Sequence, residues 1–185
     1  LSGGDQFINK WAFIPARFSE NPATNAVTIF TAMFMHASWF HLFGNMLFLW
    51  IFGDNVEDRL GHLQFLIFYL VVGIAATFAQ YAFSSGSNVP NVGASGAIAG
   101  VLGAYILMFP QARVNVLVGR AIVAMPAIIV LGSWIALQLI SGVGTVGHTG
   151  GDVGGVAFMA HIGGFFTGTV LTFLFGGVGG SSSTA

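Results

Sequence analysis

Asn91-Val92-Gly93-Ala94-Ser95-Gly96-Ala97-Ile98-Ala99-Gly100 places a lone serine where a loop turns into an apolar helix. Upstream, Asn88, Pro90 and Gly93 are turn formers; downstream, Ala94 to Phe109 is uncharged and mostly apolar, so Ser95 falls in a helix's first turn. Free backbone N–H groups and the positive end of the helix dipole gather there, which favours negative charge developing on a nearby carbonyl oxygen. The same position equally suits a helix cap, since serine satisfies an orphan amide well.

Composition sets the class around this stretch. The chain has 185 residues, of which 55% are hydrophobic and 6% charged, and its mean hydropathy is +0.84; ordinary soluble domains carry roughly a quarter charged residues. An all-α transmembrane bundle follows, built as a single unit. Net charge is −1 and the five Lys and Arg are scattered, so no basic surface exists for nucleic acid, and the lipid bilayer is the expected environment. The lack of cysteine excludes disulfides and thiolate metal sites.

Residues 1–28 mix charges, prolines and asparagines with Phe7, Trp11, Phe13 and Phe18, the pattern of a front loop or short helices at the water–lipid boundary. Residues 29–176 hold five apolar segments, read as five spans: Ile29 to Phe52, crossing from about Trp39; Leu63 to Phe83; Gly93 to Phe109; Ala121 to Ile140; and Gly155 to Gly176. The third is short, as a helix starting below the surface beside a water-filled cavity would be. Pro126 is expected to kink the fourth. Residues 177–185 read as a flexible tail. The chain opens on Leu1 with no basic-then-apolar signal pattern, so a natural start upstream is expected.

Arg59, Arg113 and Arg120 fall in connections on one side of the bundle, against Lys10 and Arg17 on the other. Basic residues favour the cytoplasmic side, so Ser95 is expected to open toward the extracytoplasmic side.

Polar side chains inside apolar segments are costly and call for a reason. His161 shares a helix face with Gly164 and Gly168, and the Ser95 helix carries matching smallness at Ala99 and Gly103, with Gly96 and Gly100 beside them. If the two faces meet, His161 comes within hydrogen-bond reach of Ser95, as a general base must of its nucleophile. A bland packing motif with a water-satisfied histidine fits the spacing too. His41 and Asn45 are four residues apart, on one face, with His36 just before. They could converge as oxyanion donors, bind a metal, or bond between helices. Metal is the weaker reading, since there is no HExxH pattern and no carboxylate within the apolar segments. His62 and His148 flank segments and read as solvated loop residues. Serine, histidine and donors suggest acyl transfer, and with no Asp or Glu at depth a dyad is favoured over a triad.

The residues from His36 to Asn45 (HASWFHLFGN), Gly93-Ala94-Ser95-Gly96 and Ala160-His161-Ile162-Gly163-Gly164 resemble, in order, the three signature motifs of the rhomboid intramembrane serine proteases; Glu57-Asp58-Arg59-Leu60-Gly61 is similar as well. The resemblance implies Ser95 as nucleophile and His161 as base, with His41, Asn45 and the Ser95 N–H as oxyanion hole and His36, Gly93, Gly96, Gly164 and Gly168 in support. It implies no metal or cofactor, transmembrane protein substrates, and a bacterial plasma membrane. A non-catalytic relative that binds transmembrane helices is the alternative.

Two departures from the family pattern stand out. Five segments stand where the family has six, so a first helix is expected to be missing. Ala99 stands where the family often has a tyrosine one turn after the serine, and the front loop has no Trp-Arg pair. The fourth segment, free of histidine and charge, leads into 141–154 with six glycines in fourteen residues, and is expected to act as a gate above His161.

Overall fold

The computed structural model describes residues 3–145 and 157–175. Residues 146–154 of the expected cap, His148 and the 177–185 tail lie outside the described residues. The described residues are 75% helical, and the protein is membrane-embedded. Among the described residues one β-hairpin stands alongside the helices, a correction to the all-α expectation.

The front of the chain forms α1 (Gly3–Trp11), α2 (Pro15–Glu20), α3 (Pro22–Asn25) and α4 (Val27–Thr31), closed by a 3-10 turn over Ala32–Phe34. Prolines open α2 and α3, where a missing N–H leaves nothing unpaired. This region is anchored inside the protein as well as at its surface. Ala12 and Phe13 are fully buried, and Phe13 exchanges backbone hydrogen bonds with Asn91, just ahead of Ser95. Arg17 holds the turn by donating to the carbonyls of Asn9 and Ala12, and Ser19 bonds the Tyr81 hydroxyl at 2.8 Å.

The helix restarts at α5 (Trp39–Phe48) because Ser38 is extended and its hydroxyl accepts from the His41 N–H at 3.1 Å. A π segment, Leu49–Gly53, joins α5 to α6 (Asp54–Leu60). The front helices and this run meet at a 75° bend. Gly61, at φ +83°, turns the chain into α7 (His62–Ser84), where exposed His62 bonds Glu57 at 2.7 Å. Next come α8 (Ser95–Met108), strands β1 (Arg113–Val118) and β2 (Ala121–Pro126), α9 (Ala127–Thr145) and α10 (Phe158–Leu174).

The hairpin corrects the fourth segment, whose helix begins at Ala127 rather than Ala121. Residues 113–126 (RVNVLVGRAIVAMP) are rich in β-branched side chains around Gly119-Arg120, which is the composition of two strands and a two-residue turn. Pro126 closes β2 opposite Arg113 and kinks no helix. Hydropathy alone merged strand and helix into one apolar run.

Among the described residues, α7 and α9 are long and apolar enough to cross a bilayer, and the bent front pair makes a third candidate; five spans are therefore not all evident by length. The 14 residues of α8 reach only about 21 Å against a hydrocarbon core of about 30 Å. Every residue from Gly96 to Tyr105 is buried, so α8 is the central post and meets protein rather than lipid. Outward faces are apolar, as Trp50 (74% exposed) and Ile140 (71%) illustrate, which suits a lipid surround.

Candidate functional site

Ser95 is the first residue of α8 but not its cap: Ala94 holds that place, with its carbonyl accepting from the Ile98 N–H at 3.0 Å. The Ser95 hydroxyl is thereby left for another partner. It lies 2.8 Å from His161 Nε2. That distance depends on how closely α8 and α10 approach. A Cβ on Gly164 would strike the carbonyl oxygen of Gly96, and one on Gly168 would strike Gly100 O. A Cβ on Gly103 would likewise strike Phe165 O and the Thr169 hydroxyl. The glycine-rich faces meet, with Gly96 and Gly100, which lie beside the expected Ala99 and Gly103, opposite Gly164 and Gly168.

Gly93 holds the approach to Ser95. Its φ of +128° is a conformation that side chains disfavour, and its N–H donates to Ala32 O at 2.9 Å. The space that a Cβ would fill there is 2.8 Å from His41 Nε2 and 3.7 Å from Ser95 Oγ, so the His41 imidazole and the serine hydroxyl border one small opening. His36 packs edge-on against His41, ring centroids 5.1 Å apart. Asn45, one turn beyond His41, is buried, and among the described residues its Nδ2 has no partner; His36 Nε2 is likewise buried and unpaired among them. The unpaired Asn45 amide N–H is free to donate to an acceptor. Beside His36, Trp39 and Leu42 line an apolar groove of about 960 Å³ that also takes in Phe34 and Trp11.

A rhomboid domain matches residues 23–178. The chain belongs to the rhomboid family. It is 30% identical over 161 residues to the presenilin-associated rhomboid-like protein A, mitochondrial, of Danio rerio, covering 80% of this chain and 41% of that protein. To the rhomboid protease GluP of Bacillus subtilis it is 36% identical over 137 residues, 73% of this chain and 26% of the relative. With rhomboid protein 1, mitochondrial, of Saccharomyces cerevisiae it shares 30% over 113 residues, 59% and 32% of the two chains. The chain thus spans 41% or less of the length of these relatives.

In this rhomboid, further side chains surround the serine and histidine. His161 Nδ1 lies 2.8 Å from Gln138 Oε1 on α9. One turn earlier on α9, Trp134 lays its ring against His161, centroids 5.8 Å apart and 38° between planes. Ring support at His161 therefore comes from Trp134, where the residue after the serine helix's first turn is only Ala99. The fourth helix is thus tied to His161 by two side chains, Gln138 and Trp134. Gln80 of α7 does a related job, its Oε1 accepting from the Ala160 N–H at 3.2 Å and satisfying the first turn of α10, which has no cap of its own. Gln80, Thr77, Asn91 and Ser95 also border a cavity of about 40 Å³, where about 10–15 Å³ suffices for a water. Among the described residues no group of three or more His, Cys, Asp or Glu is gathered to hold a metal ion, so His36, His41 and His161 form no joint centre.

Proposed function

We propose that this rhomboid is a serine endopeptidase that cuts transmembrane proteins within the bilayer, with Ser95 as nucleophile and His161 as general base. The observation that carries the reading is the 2.8 Å separation of Ser95 Oγ and His161 Nε2 in a part-buried setting. His161 takes the hydroxyl proton as Oγ attacks the scissile carbonyl carbon, and the carbonyl oxygen becomes an oxyanion. His41 Nε2, the Asn45 amide and the backbone N–H of Ser95 donate to that oxygen. His161 then returns the proton to the leaving amine, the C–N bond breaks, and an acyl ester remains on Ser95. A water deprotonated by His161 cleaves the ester and regenerates the serine. The polar cavity beside Gln80 and Ser95 is suited to supply it. No metal or cofactor takes part.

Five spans are proposed within this chain, the short α8 and α10 enclosed by longer neighbours. Ser95 starts α8 and the Arg113–Arg120 hairpin follows its other end, which supports a site on the side away from those arginines. The bacterial plasma membrane is the proposed host, with the site facing out of the cytoplasm; the B. subtilis relative supports it.

A fluorophosphonate probe applied to the full-length protein in liposomes tests the reading. Covalent labelling of Ser95, lost in Ser95→Ala and His161→Ala, is expected. A folded wild-type protein that takes no label and cuts no transmembrane substrate would instead be a non-catalytic binder of transmembrane helices.

A further inference from the structure

The imidazole of His161 has both ring nitrogens engaged, Nε2 with Ser95 Oγ and Nδ1 with Gln138 Oε1, each at 2.8 Å. A neutral imidazole carries a single N–H, and its place decides what the ring can do. With the proton on Nε2 the ring could only donate to Ser95, and the hydroxyl would lose its base. With the proton on Nδ1, Nε2 accepts from Ser95. The side-chain carbonyl oxygen of Gln138 has no hydrogen to give, so its bond to Nδ1 selects the second tautomer.

No carboxylate is present on α8, α9 or α10 to do this by charge. A neutral amide suits the place, because an ion at membrane depth is costly and an uncharged acceptor is much less so. Gln138 and Trp134 are four residues apart on one face of α9, so a single helix presents both the acceptor for Nδ1 and the aromatic surface for the ring.

We propose that Gln138 is the positioning residue for His161: its carbonyl oxygen fixes the Nδ1–H tautomer and ring direction, so that the base is aligned only while α9 is seated against α10. The proposal rests on the protease reading for its consequence in catalysis, but the tautomer itself is measurable without any activity. Ser95 and His161 come from α8 and α10, and α9 supplies the third contact.

The experiment uses nitrogen-15 histidine spectra of the full-length protein in lipid, with His161 assigned by loss of its signals in His161→Ala. In the wild type, Nδ1 is expected to resonate as the protonated nitrogen and Nε2 as the unprotonated one. Gln138→Met keeps length and bulk without a strong acceptor; it is expected to give a mixture of tautomers and to lower kcat by about 10- to 100-fold with KM changed less than about threefold. A wild-type His161 protonated on Nε2 would overturn the proposal, as would a folded Gln138→Met with unaltered tautomer or full kcat. A wild type with the Nδ1–H tautomer but no peptidase activity would sink the protease reading and leave the positioning contact standing.

Discussion

Ser95 meets His161, its proposed base, with no carboxylate on α8, α9 or α10, so the proposed reactivity depends on geometry and on the low dielectric around it. Ser95→Ala and His161→Ala should each lower cleavage of a transmembrane substrate by at least about 10³-fold while the helical content stays unchanged, because the members of a nucleophile–base pair fail together. Substantial turnover in either variant would point to another nucleophile. His41→Ala and Asn45→Ala should cost about 10- to 10³-fold in kcat with little change in KM, since the oxyanion exists only in the transition state; a loss confined to KM would make these residues substrate contacts. His41 and Asn45 are legible in the sequence as polar residues four apart in an apolar run, and Ser95 and His161 as lone polar residues beside glycine-rich helix faces. Gln138 and Gln80 carry the same signal, each a polar side chain within an apolar helix, yet they were passed over. Neither has a recognisable partner nearby in sequence: 23 and 80 residues separate them from the α10 groups they bond. Such contacts follow only from the packing of the bundle.

At the scale of the helix, the contact of α8 with α10 is a meeting of backbones. Gly164→Leu or Gly168→Leu puts a side chain onto the carbonyl oxygens of Gly96 or Gly100, atoms that cannot move aside without distorting α8. Each should destabilise the bundle by about 1–3 kcal/mol or more, and each should reduce fluorophosphonate labelling of Ser95 in the fraction that still folds. Unchanged melting and labelling would place the interface elsewhere. The glycine periodicity made this pairing readable, because small residues at i, i+4 spacing have few other uses within a membrane. The 113–126 hairpin was not readable by the same route. Its apolar residues continue directly into α9, and a window average weighs a valine in a strand as it weighs one in a helix. The role of α9 also changes with Trp134 against His161 and Phe165. Trp134→Ala should slow a short soluble ester as much as a membrane substrate, since it removes support from the base. Faster cleavage of the membrane substrate with the ester rate unchanged would restore the view of α9 as a simple gate.

For the whole molecule, the order of the elements fixes which groups can share a side of the membrane. The connection 85–92 precedes Ser95 and is held by the front segment through Ala16 N–H to Ser87 O and the Phe13–Asn91 pair, whereas the hairpin tip at Gly119-Arg120 follows the other end of the buried α8. If α7, α8 and α9 all cross, these two connections lie on opposite faces, and the Arg113–Arg120 face is the cytoplasmic one. The chain has no cysteine of its own, so single cysteines report cleanly. Asn88→Cys should react with a membrane-impermeant maleimide added to intact cells or right-side-out vesicles, and Arg120→Cys should react only after the membrane is opened. The reverse pattern would invert the orientation and put the serine on the cytoplasmic side. Labelling of both from one face would mean that α8 does not connect opposite surfaces, and the five-span bundle would have to be redrawn with α8 as a re-entrant element.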